Sequence, residues 1–324
     1  MRSSMSYYES AISLENVTKT YGRRWGQPGK TVVNNVTFDV SHGELMGLLG
    51  PNGSGKTTII KMLVGLVTLT HGAIRIKGVD ITSSRARALA ALGVMSGDAR
   101  SLYWRLSCYQ NLEYFGALRT GLWGRKLRDR IGSLLEAFGL SSMSNTPAGD
   151  LSRGLLQRLG LAVALVSDPE ILILDEPTSG LDVVAIHELV GFLRELSRRG
   201  RTILIATHDM SFAERLADRV CIIQGGYLVA LDRVSHLSRL LRTHCYELSV
   251  DGSIDEIGRD AITSFKGVAL SETRDGLKIT FDAEDVDELY ELLDFLRQRK
   301  VGIKDLLRRE PDLEQAYLRI IGKS

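Results

Sequence analysis

Gly50-Pro51-Asn52-Gly53-Ser54-Gly55-Lys56-Thr57-Thr58 decides how this chain is read. It satisfies the phosphate-loop pattern G-x-x-x-x-G-K-[ST] at every position. A hydrophobic run ending in Leu48-Leu49 leads in, and Ile59, Ile60, Met62, Leu63 and Leu66 follow at helical spacing. The stretch therefore predicts strand, loop and helix in succession. Glycines let backbone N–H groups turn inward on phosphate, and a helix N-terminus adds partial positive charge. Gly50, Asn52, Gly53, Ser54, Gly55 and Thr58 form the cradle. Lys56 is placed to reach the β- and γ-phosphates, and the Thr57 hydroxyl to ligate Mg²⁺. The stretch reads as a nucleoside-triphosphate site.

A second motif supplies acids. Ile171-Leu172-Ile173-Leu174 is an apolar run bounded by Asp168-Pro169 and Pro177, the pattern of a buried parallel strand. Asp175 and Glu176 stand at its exit, and ligands of open α/β sheets gather at the carboxyl ends of strands. Alone, an acidic pair after a strand is a solvated turn. Beside a phosphate loop it reads as the second half of one site, with Asp175 on Mg²⁺ and Glu176 as general base for an attacking water.

From about Leu14 to about Asp232 the chain resembles the ATP-binding subunit of an ABC transporter. The family's motifs stand in order: Tyr21 in Thr18-Lys19-Thr20-Tyr21-Gly22, Leu151-Ser152-Arg153-Gly154-Leu155 with Leu156-Gln157-Arg158, Ser179-Gly180-Leu181-Asp182, and Ala206-Thr207-His208-Asp209. The resemblance implies an α/β P-loop NTPase cassette over residues 1–240, with a RecA-like core, an antiparallel β subdomain and a helical subdomain at about 98–165. It implies that Tyr21 stacks on adenine and that His208 contacts the γ-phosphate. Ser152 and Gly154 would serve the ATP of an opposing subunit, and Asp182 would line the dimer interface. Two chains, expected to be identical, are then needed to close either site. Leu155 to Val166 has helical apolar spacing, so Ser152 and Gly154 also read as a helix N-terminus with free N–H donors. Thr202 to Ala206 reads as a strand beside the one ending at Asp175.

Two positions depart from the family. A glutamine usual after the strand Leu92-Gly93-Val94-Met95-Ser96 is replaced by Gly97, then Asp98. Asp98 or a water is expected in the vacant ligand position, and Gln110 sits too far on, inside a helix. Arg153 replaces the first glycine of the signature, and either adds charge beside phosphate or points to solvent. Ile131, Leu134, Leu135 and Phe138 mark one face of a helix in the helical subdomain. Aromatics in Ser101-Leu102-Tyr103-Trp104-Arg105-Leu106 suit local packing and contact with a membrane subunit equally. Arg23 to Lys30 reads as an enlarged turn.

After a hairpin turn at Gly225-Gly226 and a basic stretch, Arg233 to His244, a second unit follows at residues 245–324. Tyr246, Leu248 and Val250 alternate as a strand, and Ile254 to Ile262 reads as a helix. Gly267 to Leu270 and Leu277 to Phe281 read as strands around a turn at Arg274-Asp275-Gly276. Leu289, Leu292, Leu293 and Leu296 mark a helix, Val301 to Leu307 a strand, and Pro311 opens a last helix. That βαββαβ order suggests a ferredoxin-like accessory domain for dimerisation or regulation. Its closing Pro311-Asp312-Leu313-Glu314-Gln315-Ala316-Tyr317-Leu318 resembles ATPase subunits of drug- and lipid-type exporters. Methionine-type importers carry a ferredoxin-like tail as well.

At 324 residues, with 44% hydrophobic and 25% charged content, the chain has room for one large and one small domain. A net charge of +2 argues against a dedicated nucleic-acid binder. Cys108, Cys221 and Cys245 show neither disulfide nor zinc spacing and read as reduced, as in cytosol. Met1 to Ser10 lacks a signal peptide's apolar core, and no apolar run nears the ~18 residues of a membrane span. Membrane work would thus pass through a polytopic permease partner, with this chain at the cytoplasmic face. The expectation is an ATP-hydrolysing exporter subunit. The rivals are an importer ATPase regulated by its tail, or a soluble ATPase acting on ribosome or DNA. The last typically carries two cassettes or a long coiled coil, and neither pattern occurs in this sequence.

Overall fold

A computed structural model describes residues 10–22, 29–96, 102–240, 244–251, 262–263, 265, 267–273, 276–283, 286–299, 301–309, 313–314 and 317. The chain divides into two compact units, Met1–Arg233 and Val234–Ser324.

The first unit opens with long strands β1 (Ser10–Tyr21) and β2 (Lys30–Ser41), then β3 (Leu45–Leu49) and helix α1 (Lys56–Leu63). Next come β4 (His71–Ile76), β5 (Val79–Asp80), α2 (Arg85–Leu89) and β6 (Leu92–Met95). Three helices follow, α3 (Cys108–Thr120), α4 (Arg125–Ala137) and α5 (Arg153–Leu165). The unit ends with β7 (Ile171–Asp175), α6 (Val183–Arg198), β8 (Thr202–Thr207), α7 (Met210–Glu214), β9 (Arg219–Gln224) and β10 (Tyr227–Arg233).

Two sheets form. One is antiparallel, in order β2-β1-β4-β5; the other runs β10-β9-β3-β8-β7-β6, parallel from β9 to β6 with β10 antiparallel at its edge. The apolar runs of β3, β7 and β8 explain their central places, since a parallel strand covered on both faces must be apolar throughout. Alternation then sorts the side chains. Leu172, Leu174, Ile203 and Ile205 pack with Leu161 of α5 and Leu189 and Leu193 of α6, while Ile173, Leu204 and Ala206 point to the opposite face. There Ile59, Ile60, Met62 and Leu63 of α1 meet Leu14, Val33, Phe38 and Ile74 of the antiparallel sheet. Ile59, Ile60, Met62 and Leu63 form one apolar face of α1, while Thr57 and Lys61 on the other side are exposed.

The expected strands at 92–96, 171–174 and 202–206 are β6, β7 and β8, and β8 lies beside β7 as read. Ile131, Leu134, Leu135 and Phe138 are all buried on the inner face of α4. The β1–β2 connection joins paired Tyr21 and Lys30, but Arg23 to Pro28 lie outside the described residues.

The second unit holds α8 (Val234–Leu240), β11 (His244–Asp251), β12 (Val268–Thr273), β13 (Gly276–Ala283), α9 (Val286–Gln298) and β14 (Gly302–Arg309). Its strands lie in order β12-β13-β11-β14, every neighbouring pair antiparallel. Leu248, Val250, Ile279 and Phe281 on one face pack with Leu289, Leu292 and Leu296 of α9. The basic stretch after Arg233 is thus helical over α8. Of the helix read at Ile254 to Ile262 only Ile262 is described, and Pro311 also lies outside the described residues.

Candidate nucleotide site

Parallel pairing of β3, β7 and β8 brings their carboxyl ends to one edge of the large sheet. The glycine-rich loop leaves β3 there, Asp175 ends β7, and Thr207-His208 leave β8. The loop needs Gly50 for a packing reason: at φ 152°, a Cβ there would run into the carbonyl oxygen of Ile223. Gly55 precedes α1 and no side chain caps that helix, so its first-turn amides face the loop rather than a side-chain acceptor. Lys56 curls back over the loop, its Nζ donating to the carbonyls of Gly50 at 2.6 Å and Pro51 at 3.2 Å. Burial pulls the Lys56 ammonium below the usual lysine range, against the opposing pull of Glu176 and Asp175.

Asp175 is buried, and its Oδ1 has no hydrogen-bond partner; the same holds for Ser54 Oγ. Burial pushes the Asp175 carboxyl above the usual carboxylate range, and Glu176 adds to that push. Lys56, Lys61 and a hydrogen bond with the Thr57 hydroxyl act in the opposite direction. Two unsatisfied buried oxygens beside a phosphate loop are costly in a resting protein and mark a place where something binds.

Glu176 has a positive φ of 47°, and its N–H donates to the Ala206 carbonyl at 2.8 Å. Its carboxylate gathers three neighbours. His208 Nδ1 stands 3.0 Å from each oxygen, the Thr207 hydroxyl 3.2 Å from Oε2, and Lys56 Nζ 3.9 Å from Oε1. Lys56, Thr57, Asp175, Glu176 and His208 are thereby joined in one constellation.

Ser152 and Gly154 belong to another element. Ser152 caps α5, its Oγ accepting from the Leu155 N–H at 3.4 Å, and Gly154 lies in that helix's first turn. Arg153 is exposed, and a Cβ on Gly180 would sit 3.0 Å from its Cδ. Gln157 donates to the Ser179 carbonyl at 3.0 Å, tying α5 to the loop after Glu176. Asp182 caps α6 by accepting from the Ala185 N–H at 2.8 Å, with Val183 and Val184 exposed beyond it. Tyr21 ends β1 on the surface, the Lys19 ammonium 4.8 Å from its ring centroid. Gln110 is committed elsewhere, since it forms a capping box with Ser107 at the start of α3. Gly97 and Asp98 lie outside the described residues.

Sequence reading missed two contributors. Thr207 stood in view beside His208, yet nothing in the sequence says its hydroxyl meets Glu176. Gly226 was read only as a turn residue. Its N–H donates to the Ser54 carbonyl at 2.9 Å, and its own carbonyl accepts from the Asn34 N–H at 2.8 Å, so the β9–β10 turn braces the phosphate loop.

A family model described as ABC transporter matches residues 33–179. An uncharacterized ABC transporter ATP-binding protein, YhcH of Bacillus subtilis (strain 168), is 33% identical over 98% of this chain and 97% of its own length. The chain belongs to the ABC transporter ATP-binding family. Nod factor export ATP-binding protein I of Rhizobium meliloti (strain 1021) is 36% identical over 97% of this chain and 88% of the relative. Among solved structures, cbiO1 from Clostridium perfringens, part of the ABC transporter complex cbiONQ, aligns with a TM-score of 0.63. It is 27% identical and covers 72% of this chain and 94% of its own. The ATP-binding cassette MJ0796, solved as a dimer in a post-hydrolysis state with ADP and Pi, aligns with the same TM-score at 26% identity. It covers 68% of this chain and 98% of its own. This ABC cassette is an ATPase and the ATP-binding subunit of a transporter.

Proposed function

We propose that this ABC ATPase supplies the energy for an exporter, closing as a head-to-tail homodimer on two ATP molecules and driving a separate polytopic permease. The joined constellation of Lys56, Asp175, Glu176 and His208 at the strand ends carries the catalytic part of this reading. Export is supported by the end-to-end likeness to the Nod factor export subunits, which extends through the second unit. No helix among the described residues is long and apolar enough to cross a membrane, which fits a peripheral subunit on the cytoplasmic face. No nucleic-acid partner is expected from a net charge of +2.

Gly50, Asn52, Gly53, Ser54, Gly55, Thr58 and the first turn of α1 wrap the phosphates with backbone N–H groups. Lys56 leaves the Gly50 and Pro51 carbonyls for the β- and γ-phosphates. Thr57 and Asp175 fit Mg²⁺: a hydroxyl and a carboxylate with an unused buried oxygen are hard oxygen donors. When bound, that ion neutralises phosphate charge. Glu176 takes a proton from the attacking water, and His208 turns from Glu176 toward the γ-phosphate. Tyr21 stacks on adenine through the ring face opposite Lys19. Ser152 and Gly154 contact the nucleotide of the partner chain, while Asp182 holds the interface loop by capping α6. The first unit is then the cassette and the second a ferredoxin-like accessory domain, which the strand order β12-β13-β11-β14 supports.

Light scattering of the Glu176→Gln variant tests this reading. With ATP and Mg²⁺ the variant is expected to convert from monomer to dimer and to hydrolyse about 10²–10⁴-fold more slowly than wild type. Wild-type turnover in the variant, or a monomer at saturating ATP, contradicts it.

A further inference from the structure

We infer that Thr207 is a positioning residue that sets the orientation of the Glu176 carboxylate. The inference rests on the reading of Glu176 as general base and adds a residue to it.

Thr207 is the last residue of β8 and is fully buried. Its hydroxyl has two partners with opposite demands. The Asp209 N–H, 3.0 Å away, can only donate, so it occupies a lone pair of Thr207 Oγ1. The hydroxyl hydrogen is left to point elsewhere, and the acceptor in reach is Glu176 Oε2 at 3.2 Å. A backbone amide on β8's own exit turn thus fixes the polarity of a side-chain bond to the acid that follows the neighbouring strand β7.

That bond matters because the other contacts of the Glu176 carboxylate, Lys56 and His208, are ones that nucleotide draws away. Lys56 stands 3.9 Å from Oε1, and phosphate offers it a stronger partner. His208 Nδ1 is equidistant from both oxygens, so it holds the carboxylate in place without choosing between them. Thr207 engages Oε2 alone and carries no charge for phosphate to attract. With Lys56 and His208 drawn to the nucleotide, Thr207 keeps Oε2 anchored and leaves Oε1 to face water. The backbone N–H of Glu176, bonded to the Ala206 carbonyl, anchors the same residue from its main chain.

Steady-state hydrolysis of ATP by Thr207→Val, Thr207→Ser and Glu176→Gln, with melting temperatures for each, tests the inference. Valine keeps the shape and removes the hydroxyl; serine keeps the hydroxyl. The expected result is a fall in kcat of about tenfold for Thr207→Val with KM for ATP unchanged, and recovery to within about twofold of wild type in Thr207→Ser. Valine also strands the Asp209 N–H, so the assay is run well below its melting temperature. If that variant does not fold, Thr207→Ala replaces it. A Thr207→Val enzyme with wild-type kcat, while Glu176→Gln is slowed about 10²–10⁴-fold, overturns the role of Thr207 and leaves that of Glu176 standing. A Glu176→Gln enzyme that turns over at the wild-type rate removes the base itself. A fall in both kcat and stability that serine does not rescue shows that Thr207 only supports the fold.

Discussion

Replacing Gly226 with alanine probes how the phosphate loop is held. Gly226 sits at φ 88°, and a Cβ built there lies 2.5 Å from the Val32 carbonyl oxygen and 3.0 Å from its carbon. Val32 belongs to the body of β2, so this oxygen cannot swing aside as a side chain could. The backbone conformation costs an L-residue about 1–2 kcal/mol. Relief of the collision moves the turn away from β2 and stretches two hydrogen bonds, Gly226 to Ser54 and Asn34 to Gly226, worth about 1 kcal/mol each. The expected loss is about 2–4 kcal/mol, a fall in Tm of about 5–15 °C for a unit of this size. Part of the loss reaches the ligand, because the Ser54 carbonyl is no longer tethered and the loop amides must be ordered on binding. One kcal/mol of that ordering raises Kd about fivefold. Differential scanning fluorimetry and equilibrium titration with a non-hydrolysable ATP analogue measure the two effects. A lowered Tm with unchanged Kd would show that the turn supports the sheets but not the phosphate loop, and would refute the reasoning.

Asp175→Asn is expected to raise Tm without nucleotide at neutral pH and to abolish the added stability that Mg²⁺ and ATP give wild type. The sign follows from burial: the folded carboxyl titrates above its ordinary value, so its charge at neutral pH costs stability. That cost disappears as pH falls through the raised value, so the Tm advantage of the variant should shrink over the same interval; melting curves across the acid range check this. Arg153→Gly is expected to leave turnover and the ATP KM within about twofold of wild type in steady-state assays, because the side chain is exposed and only its stem meets Gly180.

Much of the candidate site's geometry was legible in the sequence because it follows local rules. A glycine-rich loop between an apolar strand and an apolar helix permits few arrangements. Two further apolar runs, ending at Asp175 and just before His208, had to be buried parallel strands, and parallel strands bring their carboxyl ends together. The alternation in β11 and the apolar spacing in α9 gave the second unit's inner face in the same way. What the sequence hid depends on tertiary contact. Gly226 reads as a turn residue until its N–H is seen on Ser54, 172 positions away in the chain. The polarity of the Thr207 hydroxyl depends on where the Asp209 amide points. Gln110 shows the converse, since a residue type suited to a metal is used to close a helix end. The basic stretch after Arg233 was read only as the place where the cassette pattern fades, although Val234, Leu237, Leu240 and Leu241 stand at helical spacing, and it is helical over α8.

The central claim is that this ATPase works on a membrane partner. A tagged Glu176→Gln variant, purified with ATP and Mg²⁺ from detergent-solubilised membranes of the native cell, should bring down a polytopic membrane protein in stoichiometric amount by mass spectrometry. A chain that stays soluble, alone or with ribosomes or DNA, would contradict the claim.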